Sequence, residues 1–289
     1  VYHYDEPFGD SSAIPTGYVS KFASSKVKMV LTGDGGDEVL SGYTIYQGEK
    51  FSSTYQSLPG VIRNGIPRVL AKISKPIKGS VRYKLNRVQE VLQSSNMDFQ
   101  SRYLSKTACI DLSTIKQLTQ GKKVYPIEEY LRDFMKNCTY KDPFYRLMFL
   151  NFKLSLPDDM LVKVDRMSMA YSLETRTPFL DYRLINYMSH VHKDIKMKRF
   201  ERKTILRNTV GKILPKDLLT APKKGFRVPL REWFKGVSFT EKLNNLENTI
   251  PFLNNKILRE ITEMNNTGKK DYGNFIWMLF VLNKIAGEK

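Results

Sequence analysis

The stretch "MVLTGDGGDEVLSGY", Met29–Tyr43, constrains the chain more than any other. A short apolar run ends in a turn that interleaves Gly33, Gly35 and Gly36 with Asp34, Asp37 and Glu38. An apolar run of this length, bounded by turn residues, predicts a short buried strand over Val27–Leu31. Strand, glycine-rich turn and helix in succession present backbone N–H groups and a helix start to a phosphate. Glycines let the backbone approach a ligand closely and adopt positive φ. Acids beside a phosphate repel it unless a cation intervenes, and carboxylate and phosphate oxygens share Mg²⁺ readily. The loop therefore points to a metal ligand among Asp34, Asp37 and Glu38, or to an acid that orients a cationic or amine reactant. The plainer alternative is a tight turn with Asp37 or Glu38 capping the next helix. The competing motifs fail: no lysine follows Gly36 as a P-loop requires, and the spacing is not G-x-G-x-x-G.

The rest of the chain places this loop in an α/β setting that is mostly helical. Val1–Tyr4 reads as a strand end entering the loop "DEPFGDSSAIP". Helices are expected at about 14–25, 46–58, 61–74, 82–94, 127–136, 144–156, 158–173, 182–191, 203–210, 256–264 and 272–286. The segments "SKPIKGSVRYK" and "TACIDLSTIKQLTQGKKVYP" read as irregular. Met160, Val164, Met167 and Tyr171 recur at helical spacing as a core-facing stripe. Two strands cannot support a domain, so further strands are expected upstream of Val1. The chain opens without Met inside a strand-like run, and we read it as part of something longer.

Composition narrows the function classes. The 47 Lys and Arg against 29 Asp and Glu give a formal charge of +18, which favours an anionic partner or simply a lysine-rich surface. Zinc-finger spacing and an aromatic RNA-recognition signature are both lacking, so nucleic acid is not the expected partner. Two cysteines are too few for a disulfide framework and fit a reducing cytoplasm. His190 and His192, two apart on a predicted helix, point in different directions and cannot chelate together. Apolar runs stay short of the roughly 18 residues that span a bilayer.

Four stretches, in order, resemble the ATP-dependent synthetase domain of the asparagine synthetase family. They are "YHYDEPFGDSSAIPT", "VLTGDGGDEVLSGY", "LPDDMLVKVDRMSMAYSLETRTPFLDYRL" and "ERKTILRNTVGKILPKDLLTAPKKGFRVPLREWF". The resemblance implies an adenine-nucleotide α-hydrolase-like fold of the ATP-pyrophosphatase type. It implies ATP and Mg²⁺ as cofactors, and a carboxylate, aspartate in the asparagine enzymes, that is adenylated and then attacked by an amine. Ammonia would come from a glutaminase domain N-terminal to the synthetase, and a homodimer is the assembly to test. By position, Thr32 and Gly33 match the family's ATP-contacting pair, with Gly35 and Gly36 beside them. Asp37 matches a Mg²⁺–pyrophosphate ligand, and Lys203 matches the lysine of "KxxLR" that meets the phosphates. Asp34 matches an acid tied to acyl-adenylate formation and amine attack. It is often Glu in asparagine enzymes, which opens the choice of carboxylate and amine, a sugar acid or β-lactam precursor included.

Two departures matter. The family's S-G-G-x-D-S pyrophosphate loop appears nowhere in the 289 residues, and "GDSS" at 9–12 lacks its Gly-Gly. An N-terminal nucleophilic cysteine is also missing. The 289 residues alone are therefore expected to be inactive, and a non-catalytic polyanion-binding module is the alternative function. Elsewhere, Lys203 and Arg207 are expected to share a helix face held in the core by Ile205, Leu206 and Val210. Asp159 and Lys163 form an i,i+4 pair; Lys163, Asp165 and Arg166 are candidates for an active-site wall. Asp181 is the expected N-cap of the following helix, and Glu174 and Arg176 share one side of an extended segment.

Overall fold

The structure, a computed structural model, describes residues 1–74, 79–122, 126–215, 217–218, 225–226, 228–235, 246, 250 and 252–287. Helix α1 (Ala13–Ser24) leads to strand β1 (Met29–Leu31), which pairs in parallel with β2 (Glu174–Arg176), Val30 opposite Thr175. A parallel pair needs a crossover, and here nearly all of it is helical. It runs through α2 (Gly36–Val39), α3 (Thr44–Gln56), α4 (Gly60–Ser74), α5 (Gly79–Ser95), α6 (Phe99–Thr107), α7 (Leu112–Leu118), α8 (Ile127–Met135) and α9 (Pro143–Leu150). It closes with a π-helical stretch, Asn151–Leu161, and α10 (Val162–Met169). After β2 come α11 (Tyr182–Ser189), α12 (Lys193–Lys196), α13 (Thr204–Asn208), α14 (Leu230–Trp233), α15 (Asn255–Asn266) and α16 (Gly273–Ala286).

Short polar side chains decide where several helices begin. Asp98 accepts from the Gln100 and Ser101 amides at α6, Asp111 from Thr114 at α7, and Asp142 from Phe144 at α9. Asp181 caps α11 as expected, and Asn254 caps α15. Each such cap contributes about 1 kcal/mol. The segment read as irregular around 107–126 therefore holds α7, and α6 precedes it unpredicted. The Asp before each was the available signal. Residues 123–125 and the centre of "SKPIKGSVRYK" lie outside the described residues.

Among the described residues, most buried apolar side chains fall into three clusters. One joins α7, α14, α15 and α16 through Leu118, Leu230, Ile261 and Ile276. The nearly all-apolar last helix is thus a core element. A second joins α3, α6, α8 and α9 through Tyr46, Tyr103, Leu131 and Leu147. It carries a buried ion pair: Arg102 of α6 forks onto both carboxylate oxygens of Glu49 of α3 at 2.9 and 2.6 Å. The third surrounds α2, with Val39, Leu40 and Met188 at its centre and Phe179, Leu180, Ile205 and Leu206 packed on it.

Four expectations are corrected. Val1–Tyr4 is a turn, closed by the Tyr4 amide on the Val1 carbonyl, with the Tyr4 ring stacked on Phe8 at 4.2 Å. Strand β1 is not buried on both faces: Leu31 is 70% exposed, because β2 is its single partner among the described residues. The helix expected to break at Pro157 instead runs on from α9 into α10. A π-helical stretch takes its hydrogen bonds one residue further back, so the chain passes Pro157 without stopping. The expected stripe faces α1, where Met167 and Tyr171 come up against Gly17, but the most buried residues of α10 are Lys163 and Ser168.

Candidate active site

The loop after β1 is built around two close approaches. The Thr32 amide donates to the Arg176 carbonyl at 2.8 Å, carrying the parallel ladder one residue beyond the strand. Gly35 then takes φ +80°, and a Cβ there would lie 2.1 Å from Leu180 Cδ2. A Cβ on Gly36 would press on the Phe179 ring at 3.1 Å. Of the three loop glycines, Gly35 alone takes the positive φ anticipated for the set. Gly33 has open space where its Cβ would stand, so no packing in the chain demands glycine there. Helix α2 has Gly35 as its N-cap with no side-chain hydrogen bond there, and Asp37 and Glu38 stand in its first turn. With four residues, α2 offers far less dipole than a long helix.

Asp37 and Lys203, distant in sequence, meet here. Lys203 Nζ lies 2.6 Å from Asp37 Oδ1, with the side chains 31% and 17% exposed. Gly42 makes this contact possible: a Cβ on it would stand 1.9 Å from Asp37 Oδ1 and 2.3 Å from Lys203 Cε. The Gly42 amide donates to the Asp37 carbonyl at 2.8 Å, and Arg202 donates to the Gly42 carbonyl at 3.2 Å. The Lys203 backbone is left-handed, φ +53°, as it enters α13. Helix α3 holds the approach to Lys203: Gln47 donates to the Phe200 carbonyl and Lys50 to the Met197 carbonyl. Thr204 pins the same turn, accepting from the Lys198 amide and donating to the Glu201 carbonyl.

Glu38 points away from solvent and accepts from Tyr43 OH at 2.7 Å. Burial pushes its carboxyl pKa up, against the Tyr43 bond; the nearby charges of Asp37 and Asp34 push the same way as burial. Asp34 is half-buried on the loop. Thr32 Oγ1 is buried without a hydrogen-bond partner among the described residues.

The chain matches the asparagine synthase family over residues 1–286. It is 28% identical over 289 residues to the glutamine-hydrolysing asparagine synthetase 1 of Bacillus subtilis, covering 97% of this chain and 44% of that protein. Asparagine synthetase 3 of the same organism is 39% identical over 94 residues, 32% of this chain and 15% of that one. The amidase chyE of Penicillium rubens is 23% identical over 251 residues, 81% of this chain and 37% of the amidase. The chain belongs to the asparagine synthase family.

The family domain is of the adenine-nucleotide α-hydrolase-like class, which agrees with a parallel strand pair flanked by helices. The chain spans less than half the length of these relatives. No solved structure matches it significantly. Among the described residues, no helix is long and apolar enough to cross a membrane.

The structure brings together the loop Thr32–Asp37 and Lys203. Lys203 is the left-handed N-cap of α13 rather than a residue within it; Ile205 and Leu206 pack inward as expected, whereas Val210 is 52% exposed. Lys163 and Arg166 belong to other ion pairs. Lys163 Nζ lies 2.7 Å from Asp10 Oδ2, and Arg166 pairs with Asp5 at 2.9 Å. Burial raises the Asp159 carboxyl to about 6, helped by the Asp10 charge and opposed by Lys163. Glu174 and Arg176 pair at the surface at 2.7 Å. Most of the basic loop "TAPKKGFRVP" lies outside the described residues. Sequence reasoning missed Gly42 and Tyr43; a glycine two residues before the start of α3 was the signal for the first.

Among the described residues no three His, Cys, Asp or Glu side chains form a metal-holding group. Mg²⁺ rarely needs one: it keeps waters and binds through one or two carboxylates plus substrate phosphates. Asp37, partly exposed beside the open space at Gly33, fits that donor set.

Proposed function

We propose that this chain is the C-terminal part of the synthetase domain of an ATP-dependent, AMP-forming amide ligase. The observation that carries the reading is the Asp37–Lys203 contact, made directly after β1 and opened by Gly42. The carboxylate substrate attacks the α-phosphorus of ATP, the bond to the bridging oxygen breaks, and pyrophosphate leaves with that electron pair. An amine then attacks the acyl carbon, AMP departs, and the amine proton is lost to a base. Aspartate and ammonia are the reactants we favour, the ammonia released from glutamine by a glutaminase domain in the complete protein.

The residues act through charge and position. Lys203 holds an ammonium near the phosphates, where negative charge grows as pyrophosphate leaves. Asp37 aims that ammonium before substrate arrives. Asp37 would also hold Mg²⁺, which when bound neutralises the pyrophosphate oxygens. Gly33 leaves room for nucleotide close to the backbone, with the Thr32 hydroxyl beside it and Gly35 and Gly36 shaping the turn. Asp34 guides the amine; as Asp it reaches one methylene less far than Glu, and a displacement of ~1 Å can cost ~100-fold in rate.

The test is ATP–pyrophosphate exchange by the complete protein with aspartate and a panel of other carboxylates. Exchange that needs one carboxylate and disappears in Lys203→Ala is the expected result. Absence of exchange with every carboxylate, or full exchange in Lys203→Ala, removes the reading. The polyanion-binding alternative predicts salt-sensitive binding to an anionic polymer with a steep log–log slope instead.

A further inference from the structure

A second cavity lies behind α2, and its lining contains none of Thr32–Asp37 and not Lys203. It holds about 260 Å³ between α9, the π-helical stretch, α11 and α12. Its walls are largely apolar, with Phe149, Phe152, Ile185 and Met188 among them. One group in it is out of keeping. Lys196, 2% exposed, lines the cavity, and the contact made by its Nζ among the described residues is a thioether, Met148 Sδ, at 3.9 Å. Glu38 also lines the cavity; its Oε1 accepts from Tyr43, and burial pushes its carboxyl pKa up, toward the neutral form.

A buried ammonium without an anionic partner is costly, and such groups are normally paired. Burial lowers the Lys196 pKa to about 8, which leaves the side chain mostly charged at pH 7. Lys153, also on the wall, adds positive charge. A phosphate dianion has no carbon body to set against the apolar part of the lining. A monoanion with a carbon body needs one cation and apolar walls. The volume suits a single ring or a branched chain.

We propose that this cavity is a binding site for a small amphipathic carboxylate, its carboxylate on Lys196 Nζ and its apolar body among Phe149, Phe152, Ile185 and Met188. Glu38, next to Asp37 in the chain, lines the cavity, but neither Thr32–Asp37 nor Lys203 does, and the proposal does not rest on the reading of the enzyme's reaction.

The probe is phenylacetate, titrated into the protein by calorimetry and ligand-detected NMR, with phenylacetamide as the neutral match. Phenylacetate should bind roughly 10- to 100-fold more tightly than the amide, the range for a hydrogen bond to a charged group. Lys196→Met should remove that preference. Ser189→Trp, at an exposed position on the cavity wall, should block both ligands without touching the core. It decides the matter if Lys196→Met fails to fold. Equal binding of acid and amide, no binding of phenylacetate, or binding unchanged in Ser189→Trp would overturn the assignment.

Discussion

Two ion pairs of nearly identical length sit in very different surroundings in this molecule. Arg102–Glu49 and Lys203–Asp37 both close to 2.6 Å. The first is almost fully buried, at 1% and 4% exposure, and bidentate, and Arg102 also donates to the Met97 carbonyl. A planar guanidinium locked by three bonds and almost wholly buried has one geometry and no face open to a ligand. The second is a lysine, a point charge on a flexible stem, in a partly open site with left-handed backbone at its base. Its ammonium has bonding capacity to spare. Contact distance does not separate a scaffold pair from a working one; burial, the number of bonds and the type of cation do.

The sharpest way to break the comparison is to remove one partner from each pair. Arg102→Met leaves Glu49 buried and uncompensated, and urea unfolding should show a loss of about 3–5 kcal/mol. Adding Glu49→Leu should recover much of it. If Arg102→Met unfolds like the parent protein, the pair is not the scaffold described. Lys203→Ala should do the reverse. Exchange activity of the complete protein should fall ~10²–10³-fold, in line with loss of a preorganised charge at a transition state. Stability should move by less than about 1 kcal/mol, because the pair is partly solvated. A large stability change with activity retained would put Lys203 in the scaffold class.

Gly42→Ala probes the space between the partners. The new methyl overlaps Asp37 Oδ1 and Lys203 Cε, so the pair must separate, at about 1–3 kcal/mol for a forced overpacking. Exchange should fall with it, and a crystal structure should show the contact lengthened. An unchanged contact would mean that the backbone yields instead.

The smallest effect concerns a third charge group, Asp10, Lys163 and Asp159, which lies between the two extremes in burial. Asp159 is raised to about 6, so its contribution to stability is fully present below the unfolded carboxylate pKa and is lost as pH rises through 6. Asp10 moves the other way. Burial alone would raise it, but hydrogen bonds from Lys163 and Ser12 outweigh that and lower it, so its contribution is lost as pH falls through its folded value. Asp159→Asn keeps a donor toward Asp10 and has no proton to lose. Thermal melts at pH 8 should favour the variant, with the gap narrowing as pH falls through 6 and closing only at about pH 4. A gap independent of pH would mean that Asp159 does not titrate where its surroundings place it.

The glycine–aspartate turn, most helices and the Asp181 cap were legible from residues alone, because each rests on local physics: allowed φ, a side chain reaching its own backbone, apolar spacing. Helices α6 and α7 carried the same kind of signal in Asp98 and Asp111, and it was overlooked in polar sequence. The passage through Pro157 was not legible, since proline inside a helix ordinarily stops it. Its continuation depends on a wider hydrogen-bond pattern supported by neighbouring elements. Motif resemblance put Asp37 and Lys203 on one list, but nothing local required them to touch.

What the sequence by itself determined is the chemistry available: a glycine turn open to a ligand, acids beside it, and a lysine entering a short helix. Tertiary structure alone decided which charges are shared. Lys203 met Asp37 because α3 holds its approach and Gly42 leaves room, whereas Lys163 was drawn to Asp10 and Arg166 to Asp5. The reason is that charge pairing depends on distances of a few ångströms between residues far apart in the chain. Packing sets those distances, and no run of neighbouring residues encodes them.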